Sequence, residues 1–600
     1  MFRTRVGPFL SIFGGLLLTV CMGRLSPAET VDDKFSTLGD QIWEFRLRQN
    51  PLLATSTGDR RFDHQLPKIS EANSLSAQAA YREFQHRLGQ INQRDLTGAN
   101  PINFEILRRF LATEIAEGDF RAYLIPITNR AGFHISFPDL RRRMRLETVA
   151  DFENYIARLQ GFKDYADGHI QLMRQGLKQG LTLPSVVLQR FRDPIEVHLV
   201  KQAEESLFFE PLKELPATIP QVEKDRLRAA ALAAIQTSIV PGYTAFLNFM
   251  AHEYVPGARG SISASALPRG REFYRHRVRR FTTLELSPEE VHQIGFAEVK
   301  RIRSEMQAVI KQVEFAGSFG EFVKFLREAP QFQPTSAEQL MTRTSFILKQ
   351  MDGQLPKLFG KLPRTPYGLK QIPDYIAPQT TSAYYMPPPG DGSQAGFYYL
   401  NTYDLKSRPL YNLQALSLHE AVPGHHLQIA LQQEMPDVPP YRRFASFTAF
   451  VEGWALYAER LGLEVGFYEE PYSNFGRLTF EMWRACRLVV DTGLHYFGWT
   501  RAQAIDFMAD NTALSLHDIR SEVDRYIAWP GQALGYKIGE IKIRELRSFA
   551  ENELQDRFDI RDFHDALLLQ GSVPLDVLTA QIEQWILQIK TTPDSKSPLP

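Results

Sequence analysis

The chain has 600 residues, 44% of them hydrophobic, with 69 basic and 69 acidic side chains and no net charge. A composition of this kind belongs to a globular protein with room for roughly two to four domain-sized units. The missing basic excess argues against nucleic acid or another polyanion as partner.

In chain order, residues 1–28 read as an export signal. Arg3 and Arg5 precede an apolar run from Val6 to Met22, and Ser26-Pro27-Ala28 offers small residues for cleavage before Glu29. Cys21 opens a lipid-anchored alternative and an uncleaved N-terminal anchor a second, although Val20 stands where a lipoprotein signal carries a small residue. No other stretch reads as apolar enough to cross a bilayer, so no stable membrane insertion is expected once the signal is removed. The cysteines are Cys21 and Cys486. With so little disulfide capacity, an exported chain of this size points to a bacterial periplasm or surface, or to secretion. Cys486, in EMWRACRLVV, reads as a buried apolar residue.

Residues 29–370 are expected to form an N-terminal helical lobe. Residues 147–175 place apolar side chains three and four apart. A long helix should start at Ser287-Pro288-Glu289-Glu290, where Ser287 caps, Pro288 takes the first helical position and Glu290 closes a capping box. Between 355 and 401 prolines and glycines interrupt the helical pattern. Segments 382–386 and 396–401 (GFYYLN) are predicted as a hairpin, the second offering an edge to a peptide strand. Residues 371–590 are expected to form a catalytic lobe. It includes a helix over 481–496, another beginning at Thr500 with Gln503 closing its box, and an amphipathic helix over 565–590. Residues 591–600 read as a disordered tail.

The chemistry concentrates at His419-Glu420-Ala421-Val422-Pro423-Gly424-His425-His426. Imidazoles bind Zn²⁺, and an adjacent carboxylate can take a proton from metal-activated water. In an ideal helix neither histidine pair works. His425 is about 120° off the face of His419, and His426 is about 10.5 Å along the axis. Pro423 lacks the N–H that would bond the carbonyl of His419, so the helix must bulge or unwind there. That brings either His425 or His426 to the second ligand position.

HEAVPGHHLQ, followed by FVEGWALYAERLG, resembles the bacterial domain of unknown function 885 family, which is grouped with the zincin-type metallopeptidases. The resemblance covers nearly the whole mature chain. It implies a mainly α-helical, two-lobed zincin-like body with a small β element beside an active-site cleft, and zinc as cofactor. It favours His425 as the second ligand after His419. By likeness to gluzincins it implies Glu452 as the third, with Glu420 as general base and Glu459 as hydrogen-bond partner of a ligand histidine. Arg525-Tyr526 is similar to a step in angiotensin-converting-enzyme-like peptidases, which implies Tyr526 as oxyanion donor. Tyr536 is the rival, and Lys537 is a candidate for a substrate carboxylate. Arg487, Asp491 and His495 recur every fourth residue, so they share one helix face as an orienting or structural network. The function expected is an exported zinc peptidase acting on short peptides. The alternatives are a zinc hydrolase of other amides or esters, and a non-catalytic binding protein.

Overall fold

The computed structural model describes residues 29–592 except 375, 391 and 436, so the predicted signal and residues 593–600 of the tail lie outside the described residues. The body is mainly helical with one small sheet.

Local chemistry sets many helix ends. Ser287 Oγ accepts the Glu290 N–H at 3.1 Å while the Ser287 N–H donates to Glu290 Oε2 at 2.8 Å, starting α1 (Pro288–Gln312). Thr500 and Gln503 make the same reciprocal pair ahead of the helix Arg501–Asn511. The single stretch expected over 147–175 is two helices, Val149–Gln160 and Phe162–Gln179, meeting at Gly161. The last helix is Leu575–Thr591, separated from Ile560–Leu568 by a turn containing Gly571 and Pro574. One expectation needs correcting: the continuous helical stretch Gln221–Tyr254 is long and apolar enough by composition to cross a membrane. Leu227, Ile235, Ile239, Phe246 and Phe249 along it are packed into the protein's largest apolar core.

The sheet contains β1 (Tyr367–Gln371), β2 (Ala383–Met386) and β3 (Gly396–Leu400) in the order β1-β3-β2. The expected hairpin is present, with Ala383 opposite Leu400 in antiparallel register. β1 pairs in parallel with β3, Tyr367 opposite Gly396. The strand expected to offer a free edge is therefore the central one, and β2 is the edge nearer the site.

Six further helices build the site: α2 (Leu413–Glu420), α3 (His425–Gln433), α4 (Thr448–Leu461), α5 (Pro471–His495), α6 (Leu516–Ala528) and α7 (Gly535–Leu554). α5 is buried on nearly all sides, Cys486 included, and α1 packs along it. α4 and α7 touch backbone to backbone. A Cβ on Gly453 would lie 2.6 Å from the Gly539 main chain, and one on Gly539 would strike the Ala449 carbonyl. Both large apolar cores draw residues from either side of position 370.

Candidate metal centre

α2 ends at Glu420, the chain turns through residues 421–424 with a cis Val422–Pro423 bond, and α3 begins at His425. The anticipated distortion is thus a complete break between two helices. Gly424 is required in the turn, because a Cβ there would run into the carbonyl oxygens of Leu418 and His419. Trp454 of the EGW segment holds the turn from α4, its Nε1–H donating to the Pro423 carbonyl at 2.8 Å.

The break turns His425 toward His419 and Glu452. Glu452 Oε2 lies 3.6 Å from His419 Nε2 and 3.4 Å from His425 Nε2, and the three ligand atoms are all within 4.8 Å of one another. Tetrahedral zinc with bonds of about 2.0–2.1 Å would set such atoms about 3.3–3.4 Å apart. Glu452 Oε2 is buried without a hydrogen-bond partner, as a metal-ligating oxygen would be in the absence of its ion. Burial pushes the Glu452 pKa up, but the charges of His425 and His419 more than reverse this and hold it well below the usual carboxylate range. The donor set, its spacing and the orphaned oxygen all fit zinc.

His426, the alternative ligand, is committed elsewhere. Its Nε2–H donates to the Thr365 carbonyl at 3.1 Å, and its Nδ1 accepts the Tyr385 hydroxyl at 2.9 Å. No ring lone pair remains for a metal, so His426 leaves the donor set.

Glu420 lines a cavity of about 450 Å³ together with His419, His425 and Glu452. Burial raises its carboxyl pKa, opposed by the charges of His419 and His425. Tyr536 also lines this cavity, its hydroxyl 3.2 Å from Arg525 Nη2. Tyr526 does not line it. At 1% exposure, its hydroxyl accepts Trp483 Nε1–H at 2.9 Å and Arg487 Nε–H at 3.0 Å. The oxyanion role expected of Tyr526 therefore has no geometric support, and of the two tyrosines it is Tyr536 that lines the cavity.

The model of a family described as bacterial protein of unknown function matches residues 51–582. The chain belongs to the DUF885 family. A candidate lipoprotein from Colwellia psychrerythraea has a similar solved structure, with TM-score 0.88 and 28% identity over 93% of this chain and 100% of that one. A candidate lipoprotein of unknown function from Shewanella oneidensis shares the fold at TM-score 0.64 and 17% identity, covering 92% of this chain and 99% of its own. No curated protein matches the chain significantly.

Other residues singled out in this DUF885 chain sit away from the cavity. Lys537 is fully buried, its Nζ 2.8 Å from Glu481 and Glu540 and 2.9 Å from Glu298, so it has no access to a substrate carboxylate. Those three glutamates are close enough together to suggest a second metal group, but the Lys537 ammonium sits among them, and Arg301, Arg477 and Arg544 pair with them as well. Arg487, Asp491 and His495 do not bond one another. Arg487 reaches Tyr526 and Glu522, Asp491 accepts from the Tyr274 hydroxyl and the Gly531 N–H, and His495 Nε2–H donates to the Tyr526 carbonyl. Arg487 and His495 hold α6, and Asp491 holds the Gly531 turn between α6 and α7, shortly before Tyr536.

Sequence reasoning missed Arg130, Arg525, Trp529 and Tyr385 as cavity residues. Arg525 was noticed only as the neighbour of Tyr526. Arg130 stands in a loop with no motif around it.

Proposed function

We propose that this DUF885 protein is an exported zinc-dependent hydrolase of peptide bonds, with a zincin-like two-lobed body closing around the cavity. The observation that carries the reading is the set of His419 Nε2, His425 Nε2 and Glu452 Oε2, with Glu420 beside it in the same cavity. Zinc bound there would supply Lewis-acid polarisation of a carbonyl and acidify water. Glu420 accepts a proton from the attacking water and delivers it to the leaving amine. Tyr536 donates to the oxygen on which negative charge develops. The free edge of β2, whose Tyr384 and Tyr385 line the cavity, takes the peptide backbone as an added strand. A cavity of about 450 Å³ suits short peptides. The N-terminal signal, and the description of both structural relatives as candidate lipoproteins, support an extracytoplasmic location with Cys21 as the residue a lipid anchor would use.

Digestion of a mixed peptide library by the zinc-loaded protein, read by mass spectrometry with Glu420→Gln in parallel, tests the reading. Cleavage by the wild type that the variant loses is the expected result. No cleavage by protein shown to contain zinc moves the substrate to non-peptide amides or esters. Unchanged zinc content in Glu452→Ala removes the third ligand from the proposal.

A further inference from the structure

Around Arg130 and Arg525 the cavity wall carries more positive charge than the one carboxylate they share, Glu522, balances. Glu522, 1% exposed, is shared by three guanidinium groups. Arg130 Nη1 lies 2.9 Å from its Oε1, Arg487 Nη2 lies 2.9 Å from its Oε2, and Arg525 Nη1 lies 3.5 Å from the same oxygen. Three positive charges against one negative leave a surplus of two. The neighbouring Asp524 is taken by Arg501 at 2.6 Å. Burial pushes the Glu522 pKa up, and the charges of Arg525, Arg487 and Arg130 overcome this and hold it ionised.

The three arginines are not equivalent. Arg487 is sealed beneath the Tyr536 ring, 4.2 Å from its centroid, with its side chain 2% exposed. Arg130 and Arg525 line the cavity, with side chains 19% and 15% exposed. Glu522 orients both of them and cannot neutralise both. Partly desolvated surplus charge of this kind is costly unless a ligand supplies the counter-charge. A pair of planar guanidinium forks matches a carboxylate better than any neutral group.

We infer that Arg130 and Arg525 form the subsite for the C-terminal carboxylate of the substrate, which makes the protein a peptidase that works from the carboxyl end of short peptides. Both arginines line the same cavity as His419, His425 and Glu452, so an extended peptide anchored there by its terminus keeps a carbonyl near its carboxyl end beside those three groups. The inference rests on the hydrolase reading for the reaction alone. The anion subsite stands on the arginines and is testable without metal.

The test is calorimetric titration of zinc-chelated protein with three probes: Ala-Ala-Ala, its C-terminal amide, and the C-terminal amide of Ala-Ala-Glu, which moves the carboxylate to a side chain. The free acid is expected to bind about 10- to 100-fold more tightly than either amide, the range of a charge-assisted pair. Arg130→Ala and Arg525→Ala are each expected to shrink that preference. Equal affinity for acid and amide, absence of binding by the acid, or tighter binding of the glutamate amide overturns the inference, and none of these comparisons depends on a variant folding. Cleavage is then scored separately with zinc restored. Equal binding with cleavage of both acid and amide leaves the hydrolase reading standing and removes the carboxylate subsite. Preference for the acid without any cleavage does the reverse.

Discussion

Glu459 decides which nitrogen His419 presents. Its Oε1 lies 2.8 Å from His419 Nδ1, so Nε2 is the atom that faces Glu452 and the candidate centre. Glu459 is itself 1% exposed and has Arg484 Nη2 3.5 Å from the same oxygen. The chain thus runs from a buried arginine to a carboxylate, to an imidazole, to the site.

If zinc occupies that site, Glu459→Gln weakens it without touching a ligand. Loss of the oriented carboxylate lowers the basicity of His419 and frees its ring to rotate. Such partners are worth about 10- to 100-fold in metal affinity. Competition of the purified variant against a chromogenic chelator measures this directly, and an affinity equal to wild type removes Glu459 from the site.

The second prediction concerns the contact that positions Glu452. Gly453 and Gly539 let α4 and α7 meet backbone to backbone. Gly539→Ala must push the helices apart, at a cost of about 1–3 kcal/mol, the range for overpacking a tight interface. Because Glu452 rides on α4 beside Gly453, zinc content should fall together with the melting temperature. A variant that melts lower yet retains full zinc content would mean the helix spacing does not set the ligand position.

Much of this organisation was legible in the sequence. Ser287 with Glu290 and Thr500 with Gln503 announce helix starts because capping depends on residues three apart. The clustering of histidines points to His419 with either His425 or His426, and the choice of His425 and the addition of Glu452 come from the resemblance carried by HEAVPGHHLQ and the later EGW segment. What was not legible depends on partners far away in the chain. His426 is removed from the donor set by Thr365 and Tyr385, 61 and 41 residues upstream. β1 was missed because Gly368, Lys370 and Gln371 break the apolar alternation that marks a strand, and without β1 the central strand β3 looks like an edge. The likeness of the Arg525-Tyr526 step places Tyr526 ahead of Tyr536, but Pro530 and Gly531 interrupt the helix between them, and the direction taken after such a break is set by what Gly531 bonds to, here Asp491.

That ranking yields the third prediction. Tyr526→Phe leaves two buried donors, Trp483 Nε1 and Arg487 Nε, without their acceptor. Stability should drop by about 1–3 kcal/mol, the cost of unsatisfied buried groups. Tyr536→Phe removes a cavity hydroxyl instead. It should leave the urea midpoint near wild type and lower kcat by about 10²- to 10³-fold, as loss of one oxyanion donor does. The opposite pattern, with Tyr526→Phe inactive but stable, restores the original assignment.

The fourth prediction is a loss of stability in mild acid, carried by buried neutral histidines outside the ligand set. His564 Nδ1–H donates to the Leu358 carbonyl at 2.8 Å and its Nε2 accepts the Tyr457 hydroxyl at 2.9 Å. His495 is held in the same way, its Nδ1 accepting the Ala264 N–H at 3.0 Å and its Nε2–H bonded to the Tyr526 carbonyl at 2.9 Å. In each ring one nitrogen must accept, so protonation breaks a bond. Burial pushes both pKa values down to about 3. The unfolded chain protonates these groups near pH 6.5. The stability they contribute is therefore complete above that pH and is lost as pH falls from about 6.5 through 3. At pH 5 the loss is about 2 kcal/mol per histidine. Asp491 runs the other way, since burial raises its pKa to about 7 and its contribution is lost as pH rises through that value. The histidine share is therefore read as a difference between proteins. Urea unfolding of wild type and His564→Gln at pH 7 and pH 5 should show the wild type losing about 2 kcal/mol more than the variant over that interval. Equal losses would show that His564 is not held neutral in the folded protein.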